Sequence, residues 1–226
     1  MITRLVLSFM LAAAAASAGD WIKLFDGKTL NGWSVHSGKA TYVVENGVIA
    51  GTAVLGSPNS FLCTEKEFGD FNLEFEVKVD PELNSGVQFR SQIPREPLAL
   101  KVEVKGKEVE RKIPADRVYG YQVEIATSKT GNSGNVYDEG RRAVFLDDFS
   151  GKAKARAAFK DGKWNKYRIE CKGDSIKTWV NGVAAADFKD AVTLRGIIGL
   201  QVHQVPKDKF KAYQVRWRNI RIRELP

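Results

Sequence analysis

The sequence predicts an all-β domain, a sandwich or jelly roll of antiparallel strands. Three observations carry that expectation. Short runs with alternating apolar and polar residues recur along the chain, turn pairs such as Asn-Gly and Asp-Gly separate them, and no long stretch repeats apolar residues at helical spacing. The 226 residues, 43% of them hydrophobic, suffice for one well-packed domain of the size that β-sandwiches reach.

Residues 1–18 stand apart. Arg4 gives a short positive start, 5–16 is an apolar run, and Ala16-Ser17-Ala18 offers small residues for cleavage. This is the pattern of a secretory signal peptide, too short and wrongly flanked for a membrane span. The expectation is an exported protein, periplasmic or extracellular, with a single domain over 19–226 and no membrane role once the signal is removed. No lipid-attachment cysteine follows the apolar run.

The domain opens on Trp21-Ile22-Lys23-Leu24-Phe25, followed by turns at Asp26-Gly27 and Asn31-Gly32. Alternating runs follow at 42–44, 48–50, 71–79, 86–90, 167–171, 176–180, 197–203 and 213–222. Turn signals lie at Glu45-Asn46-Gly47, Asp161-Gly162, Lys172-Gly173-Asp174 and Asn181-Gly182. A turn every 8–12 residues or so is the habit of sandwiches and jelly rolls. Residues 93–118 read as an insertion: Pro94, Pro97 and Pro114 bracket it, and 98–113 alternates around Lys105-Gly106-Lys107, which predicts a projecting hairpin. It joins the strand ending at Arg90 to the one at Tyr121, so it stands at the rim of their shared surface. Alanines within 152–160 allow one or two turns of helix.

The formal charge is +8, or +7 once Arg4 is removed. The excess concentrates in 101–117 and 207–223. There, basic residues alternate with apolar ones as solvated strand residues do, without the interleaved stacking aromatics of single-stranded nucleic-acid sites. No nucleic-acid partner is expected. Cys63 and Cys171 fit neither a Cys-x-x-Cys nor a zinc spacing, and the sequence leaves open whether they form one disulfide or two buried thiols.

Alternation also sorts the polar residues by face. In Gly120-Tyr121-Gln122-Val123-Glu124-Ile125, the apolar side chains face a core while Gln122 and Glu124 share the other surface. The same rule sends Gln88 and Arg90 outward beside Val87 and Phe89, and Gln201 and His203 outward beside Leu200 and Val202. Arg216 and Arg218 likewise point away from Val215 and Trp217, with a bulge at Asn219 where the alternation breaks. Any one of these residues is ordinarily a solvated one. If their strands are sheet neighbours, one face gathers a carboxylate, an imidazole, guanidiniums and amides, the acid, base, cation and hydroxyl binders that a sugar-handling site requires. A glycine-bracketed loop over 131–142 follows the Glu124 strand and could close over that face, with Tyr137 as a platform or hydrogen-bond donor.

Gly-x-Ser-x-Gly, Walker, dinucleotide and His-Glu-x-x-His signatures are absent. So is the Glu-x-Asp-x-x-Glu spacing that sets two carboxylates on one strand face, which leaves paired-carboxylate glycoside hydrolysis without sequence support.

A set of ordered segments does resemble one family. They are Leu24-Phe25-Asp26-Gly27-Lys28-Thr29-Leu30-Asn31-Gly32-Trp33, Asn84-Ser85-Gly86-Val87-Gln88-Phe89-Arg90, Gly120 to Ile125, Tyr137-Asp138-Glu139-Gly140-Arg141, Gly162-Lys163-Trp164-Asn165, Trp179-Val180-Asn181-Gly182, Gly199-Leu200-Gln201-Val202-His203 and Arg218-Asn219-Ile220-Arg221-Ile222. Together they resemble the motifs of the 3-keto-disaccharide hydrolase family, over almost all of the chain past residue 18. The resemblance implies a lectin-like, concanavalin-type jelly roll of two antiparallel sheets, with carbohydrate or glycoside partners. It also implies action on glycosides whose C3 hydroxyl is oxidised to a ketone. Such a ketone acidifies the C2 hydrogen; a base removes it, the enolate expels the C1 oxygen, and rehydration of the enone completes a net hydrolysis. Carried onto this chain, the route implies Glu124 and His203 as base and acid in either order and Arg90 or Arg218 as enolate stabiliser. Gln88, Gln122, Tyr137 and Gln201 then bind substrate. The resemblance fixes no cofactor, and a divalent metal bound between carboxylate and imidazole could replace the arginine in the stabilising role. Two features depart from the family pattern and point to a different substrate: the hairpin insertion, and Trp217 where a smaller aromatic is usual. A non-catalytic carbohydrate-binding module on the same fold is the rival reading, and an exported adhesion protein using its basic surface is a third.

Overall fold

The alternating runs pair into two antiparallel sheets packed face to face in the computed structural model, which describes residues 19–226. The expected signal peptide lies outside the described residues. The first sheet runs, in spatial order, β14 (Val183–Lys189), β13 (Ser175–Val180), β12 (Asn165–Lys172), β6 (Phe71–Val79), β16 (Gln214–Glu224), β4 (Val48–Thr52) and β3 (Thr41–Glu45), with β1 (Ile22–Lys23) on β16. The second runs β11 (Val136–Glu139), β10 (Tyr119–Ile125), β7 (Ser85–Gln92), β15 (Ile197–Val202), β5 (Ser60–Thr64) and β2 (Trp33–His36). The predicted hairpin is present as β8 (Leu98–Val104) and β9 (Lys107–Ile113). Lys105 and Gly106 both take positive φ at its tip, the conformation that matches strand twist in a two-residue turn. The expected helix is a single turn, α1 (Ala153–Arg156).

The apolar faces meet between the sheets. β6 turns Phe71, Leu73, Phe75, Val77 and Val79 inward and sets Glu74, Glu76 and Lys78 outward. Phe75 stacks on Tyr167, and Phe89 stacks on Tyr121. Trp217 belongs to this core, stacked on Tyr42 and fully buried. It therefore does not shape a substrate site, contrary to the expectation drawn from its size. The break at Asn219 is a bulge, with φ at 53° and a register shift between Arg218 and Arg221.

The outer faces differ. That of the first sheet is solvated and laced with ion pairs such as Arg221 to Glu74. That of the second sheet is largely covered, because the chain entering and leaving the hairpin lays Ile93 and Val118 over Phe61, Cys63 and Ile197. Alternation is invisible in β5 for this reason: every residue of Ser60–Thr64 is buried, so no polar side is needed. Cys63 lies in this sheet and Cys171 in the other, both as buried free thiols whose pKa burial drives upward.

Candidate active site

Beyond the roof of Ile93 and Val118, the second sheet's outer face carries buried polar residues. Register sets Gln88 opposite Gln122 and Gly86 opposite Glu124. The amide of Gln122 lies across the neighbouring strand, where a Cβ at Gly86 would come within 2.4 Å of its Cδ and push it aside. A directional chain of hydrogen bonds results. Ser91 Oγ donates to Gln88 Oε1 (2.6 Å), Gln88 Nε2 to Gln122 Oε1 (2.9 Å), and Gln122 Nε2 to Glu124 Oε2 (3.3 Å). From the other side Asn84 Nδ2 donates to Glu124 Oε1 at 2.6 Å. Every donor points toward the carboxylate, which alone in the chain has no proton to pass on when ionised.

Glu124 is only 8% exposed. Burial pushes its pKa up from 4.5 to about 6, the Asn84 and Gln122 bonds oppose that rise, and the nearby charge of Glu139 adds to it. The result is a carboxylate that is ionised at neutral pH yet more basic than an exposed one, the property a general base needs.

Gln201 lies on β15 opposite Phe61. Its side chain is fully buried, and neither Nε2 nor Oε1 has a hydrogen-bond partner in the protein. Leaving such an amide unpaired costs about 1–3 kcal/mol per group. A ligand that supplied a hydroxyl or carbonyl would recover that cost.

Tyr137 is on a strand, not in the loop expected over 131–142: β11 pairs with β10 and brings Tyr137 opposite Gln122. Its ring meets Phe145 edge-on, and burial together with the Glu139, Glu124 and Asp138 charges raises the phenol pKa, so the hydroxyl stays protonated and can donate. Strand alternation explains the rest of that motif. Tyr137 and Glu139 face the site, while the fully buried Asp138 binds Arg141 and Arg142, and Arg142 in turn binds Asp190.

His203 is one residue past the end of β15. Its Nδ1–H donates to the Gln204 carbonyl at 2.8 Å, an acceptor that fixes the tautomer and leaves Nε2 free. The imidazole lines a cavity of about 530 Å³ whose wall includes Asn84, the residue bonded to Glu124. His203 and Glu124 thus share a neighbour, although β7 separates their strands.

Two expected members of the face are elsewhere. Arg90 has φ at 47° within an irregular stretch of β7, which swings its side chain off the alternating pattern. The fully buried guanidinium donates to the carbonyls of Gly69 (2.9 Å) and Gly173 (2.7 Å) and to Asp70 Oδ1 (2.7 Å), tying the second sheet to the end of the first. Arg218 is in the other sheet altogether, bonded to Glu76 and lying 4.1 Å over the Trp164 ring. A cation not foreseen is Arg117, from the chain leaving the hairpin. It lies 5.9 Å over the Phe61 ring and donates to Glu139 Oε1, which also accepts from Asn59 Nδ2. Asn84 was missed too. It sits two residues before Gly86, so extending the alternation one step upstream would have found it on the Gln88 face.

Residues 20–223 match the sequence profile of the 3-keto-alpha-glucoside-1,2-lyase-like domain. The chain belongs to this family. No curated protein matches it significantly. Among solved structures, it is similar to a candidate glycosyl hydrolase from Parabacteroides distasonis, at 18% identity and a TM-score of 0.57, over 92% of this chain and 94% of that one. It is also similar to the carbohydrate-binding module CBM66 from Bacillus subtilis, at 16% identity and TM-score 0.54, over 84% and 93% of the two chains. A Bacillus subtilis protein of unknown function with a galectin-like fold aligns at 8% identity and TM-score 0.52, over 93% and 97%. At these identities the likeness speaks for the fold, the jelly roll that the family resemblance implied.

Among the described residues no three His, Cys, Asp or Glu side chains gather in a ligand set. Glu124 is held by two amides and His203 Nδ1 by a carbonyl. Glu124 and His203 stand on strands that β7 separates, and no third ligand joins them, so the described residues do not fit the carboxylate–imidazole metal site considered from sequence.

Proposed function

We propose that this protein is an exported enzyme that cleaves 3-keto-glycosides by elimination across C1 and C2, followed by addition of water. The observation that carries the reading is Glu124, a nearly buried carboxylate raised to about pKa 6 at the end of an amide chain. It supplies one base without a second nucleophilic carboxylate, which is what this route needs and what ordinary glycoside hydrolysis does not.

In the proposed reaction, Glu124 takes the proton from C2 and the electron pair forms an enolate with the C3 oxygen. Its collapse restores the C3 carbonyl, forms the C1–C2 double bond and breaks the bond from C1 to the leaving oxygen, which receives a proton from the His203 imidazolium. Water then adds at C1 and a proton returns to C2. The unpaired Gln201 amide is the donor we assign to the C3 oxygen, since its Nε2 is buried and free. Tyr137 orients the ring, while Gln88 and Gln122, buried and engaged with each other, hold Glu124 in place. Arg90 and Arg218 have no role in this scheme.

The Glu124→Gln variant tests it. Turnover of a 3-keto-glucoside should fall by about 10²–10⁴-fold, the usual contribution of a general base. Near-normal turnover by the folded variant would sink the assignment. Tight binding of unoxidised glycans with no turnover of any keto-sugar would favour a binding module, a use that the unpaired Gln201 amide would also serve.

A further inference from the structure

The free edge of the second sheet carries a group of side chains that the proposed reaction does not use. Strand β2 ends that sheet, and its Ser34 and His36 stand opposite Cys63 and Phe61 of β5, on the outer face. The His36 imidazole reaches both ways. Its Nδ1 lies 2.5 Å from Asp116 Oδ1, and its Nε2 lies 2.9 Å from Ser34 Oγ. An ionised carboxylate can only accept, so Nδ1–H donates to Asp116 and Nε2 is left to accept from the serine hydroxyl. Asp116 comes from the chain leaving the hairpin, 80 residues along from His36. Its Oδ2 accepts from the Ser37 N–H at 2.9 Å, its carbonyl accepts from Ser37 Oγ at 3.1 Å, and its own N–H donates to the Pro94 carbonyl at 2.8 Å. Ser37 and Asp116 both hold positive φ, at 71° and 64°, a conformation that residues other than glycine keep only where their surroundings impose it.

We propose that Ser34, His36 and Asp116 form a second catalytic site, a serine esterase centre for short acyl esters. Strands β7, β15 and β5 separate it from the Glu124 strand, and its chemistry is independent of the 3-keto-glycoside reaction. Nucleophile, base and orienting carboxylate are joined in the order that acyl transfer needs, an arrangement recognised by geometry and not by a sequence signature. The oxyanion donor is the N–H of Val35, the residue after the nucleophile. The Glu65 N–H donates to the Gly32 carbonyl, so the alternation of the ladder gives Ser34 and His36 the bonds to β5 and turns the Val35 N–H away from it. On that side β2 has no strand partner. Ser34 Oγ attacks the ester carbon as its proton passes to His36 Nε2, and the carbonyl electron pair moves onto the oxygen. Collapse re-forms the carbonyl and breaks the bond to the alcohol, which takes the proton from Nε2. Water repeats the sequence on the acyl-serine, releasing the acid and restoring the hydroxyl. Ile93 and Val118 roof Cys63 and Phe61, the partners of Ser34 and His36, so the room beside the serine suits a short acyl chain.

The test uses p-nitrophenyl acetate as the ester and a fluorophosphonate as the probe for an activated serine. The wild type should hydrolyse the acetate, and the fluorophosphonate should add to Ser34, located by mass spectrometry of the digested protein. Ser34→Ala and Asp116→Asn should each lower hydrolysis by about a hundredfold or more, the contribution of a placed general base and its nucleophile. Asparagine adopts positive φ readily, so Asp116→Asn keeps the backbone while removing the charge that orients the imidazole. Circular dichroism confirms that both variants fold. If the three residues only strap β2 to the base of the hairpin, Ser34 takes no adduct and Ser34→Ala hydrolyses the acetate as fast as the wild type. Either result, or an adduct on another residue alone, overturns the proposal. p-Nitrophenyl hexanoate should be cleaved about tenfold or more slowly than the acetate, and an equal or faster rate would overturn the assignment to short acyl esters.

Discussion

Glu124→Gln has a second consequence, which lies in stability and depends on pH. A carboxyl whose pKa rises from 4.5 to about 6 on folding holds its proton more tightly in the folded chain than in the unfolded one. Below pH 4.5 both states are protonated and nothing is lost. Between 4.5 and 6 the unfolded chain releases the proton first, so stability falls as pH rises, and above about 6 the penalty is constant. At 1.36 kcal/mol per pK unit, the ionised carboxylate costs the fold about 2 kcal/mol at pH 8. The glutamine is neutral throughout and bears none of this. It does turn an NH₂ toward Asn84 or Gln122, both of which donate to the carboxylate, and that mismatch costs about 1–3 kcal/mol at every pH. The absolute melting temperature of the variant is therefore not the diagnostic quantity. The difference between variant and wild type is, because the other titrating groups cancel in it. For a domain of this size that difference should move in the variant's favour by about 4–8 °C between pH 4 and pH 8, followed by calorimetry or circular dichroism. A difference that stays flat across that range would refute the raised pKa and, with it, the idea of a base tuned by burial.

Three further outcomes are expected. Arg90→Met leaves Asp70 and the carbonyls of Gly69 and Gly173 without their donor and should cost about 3–5 kcal/mol in chemical denaturation, with turnover per folded molecule retained; an unchanged stability with collapsed turnover would return Arg90 to the active site. Glu139→Gln removes a charge that raises the Glu124 pKa, so the acidic limb of the kcat/KM profile should move below about pH 6, and movement upward would contradict the assigned cause. Gly86→Ala places a methyl against Gln122 Cδ and should displace that amide from Glu124, lowering kcat/KM by about tenfold while destabilising the fold by roughly 1–3 kcal/mol. Normal kinetics in that variant would mean the amide chain does not position the base.

The sequence by itself determined the class of fold, the bulge at Asn219, the hairpin insertion and the face on which Gln88, Gln122, Glu124 and Gln201 lie. These are local matters: a strand's side chains alternate with a period of two, and turns announce themselves through Gly, Asn and Asp, so a few residues carry the whole signal. The family motifs were legible for the same reason, being runs of adjacent residues. Tertiary structure alone decided which strands are neighbours, and so removed Arg218 to the opposite sheet and set β7 between the Glu124 and His203 strands. One left-handed residue was enough to turn Arg90 away, because a bulge breaks alternation at a point that the side-chain pattern does not mark. Strand β11 was hidden inside a glycine-rich segment that reads as a loop until β10 offers it an edge to pair with. The roofing of one sheet face by the hairpin's base, the burial that raises the Glu124 pKa, and the cavity behind Asn84 all arise from segments far apart in the chain. No period in the sequence reports such contacts, because burial and electrostatic environment belong to the packed surroundings of a residue and not to the residue itself.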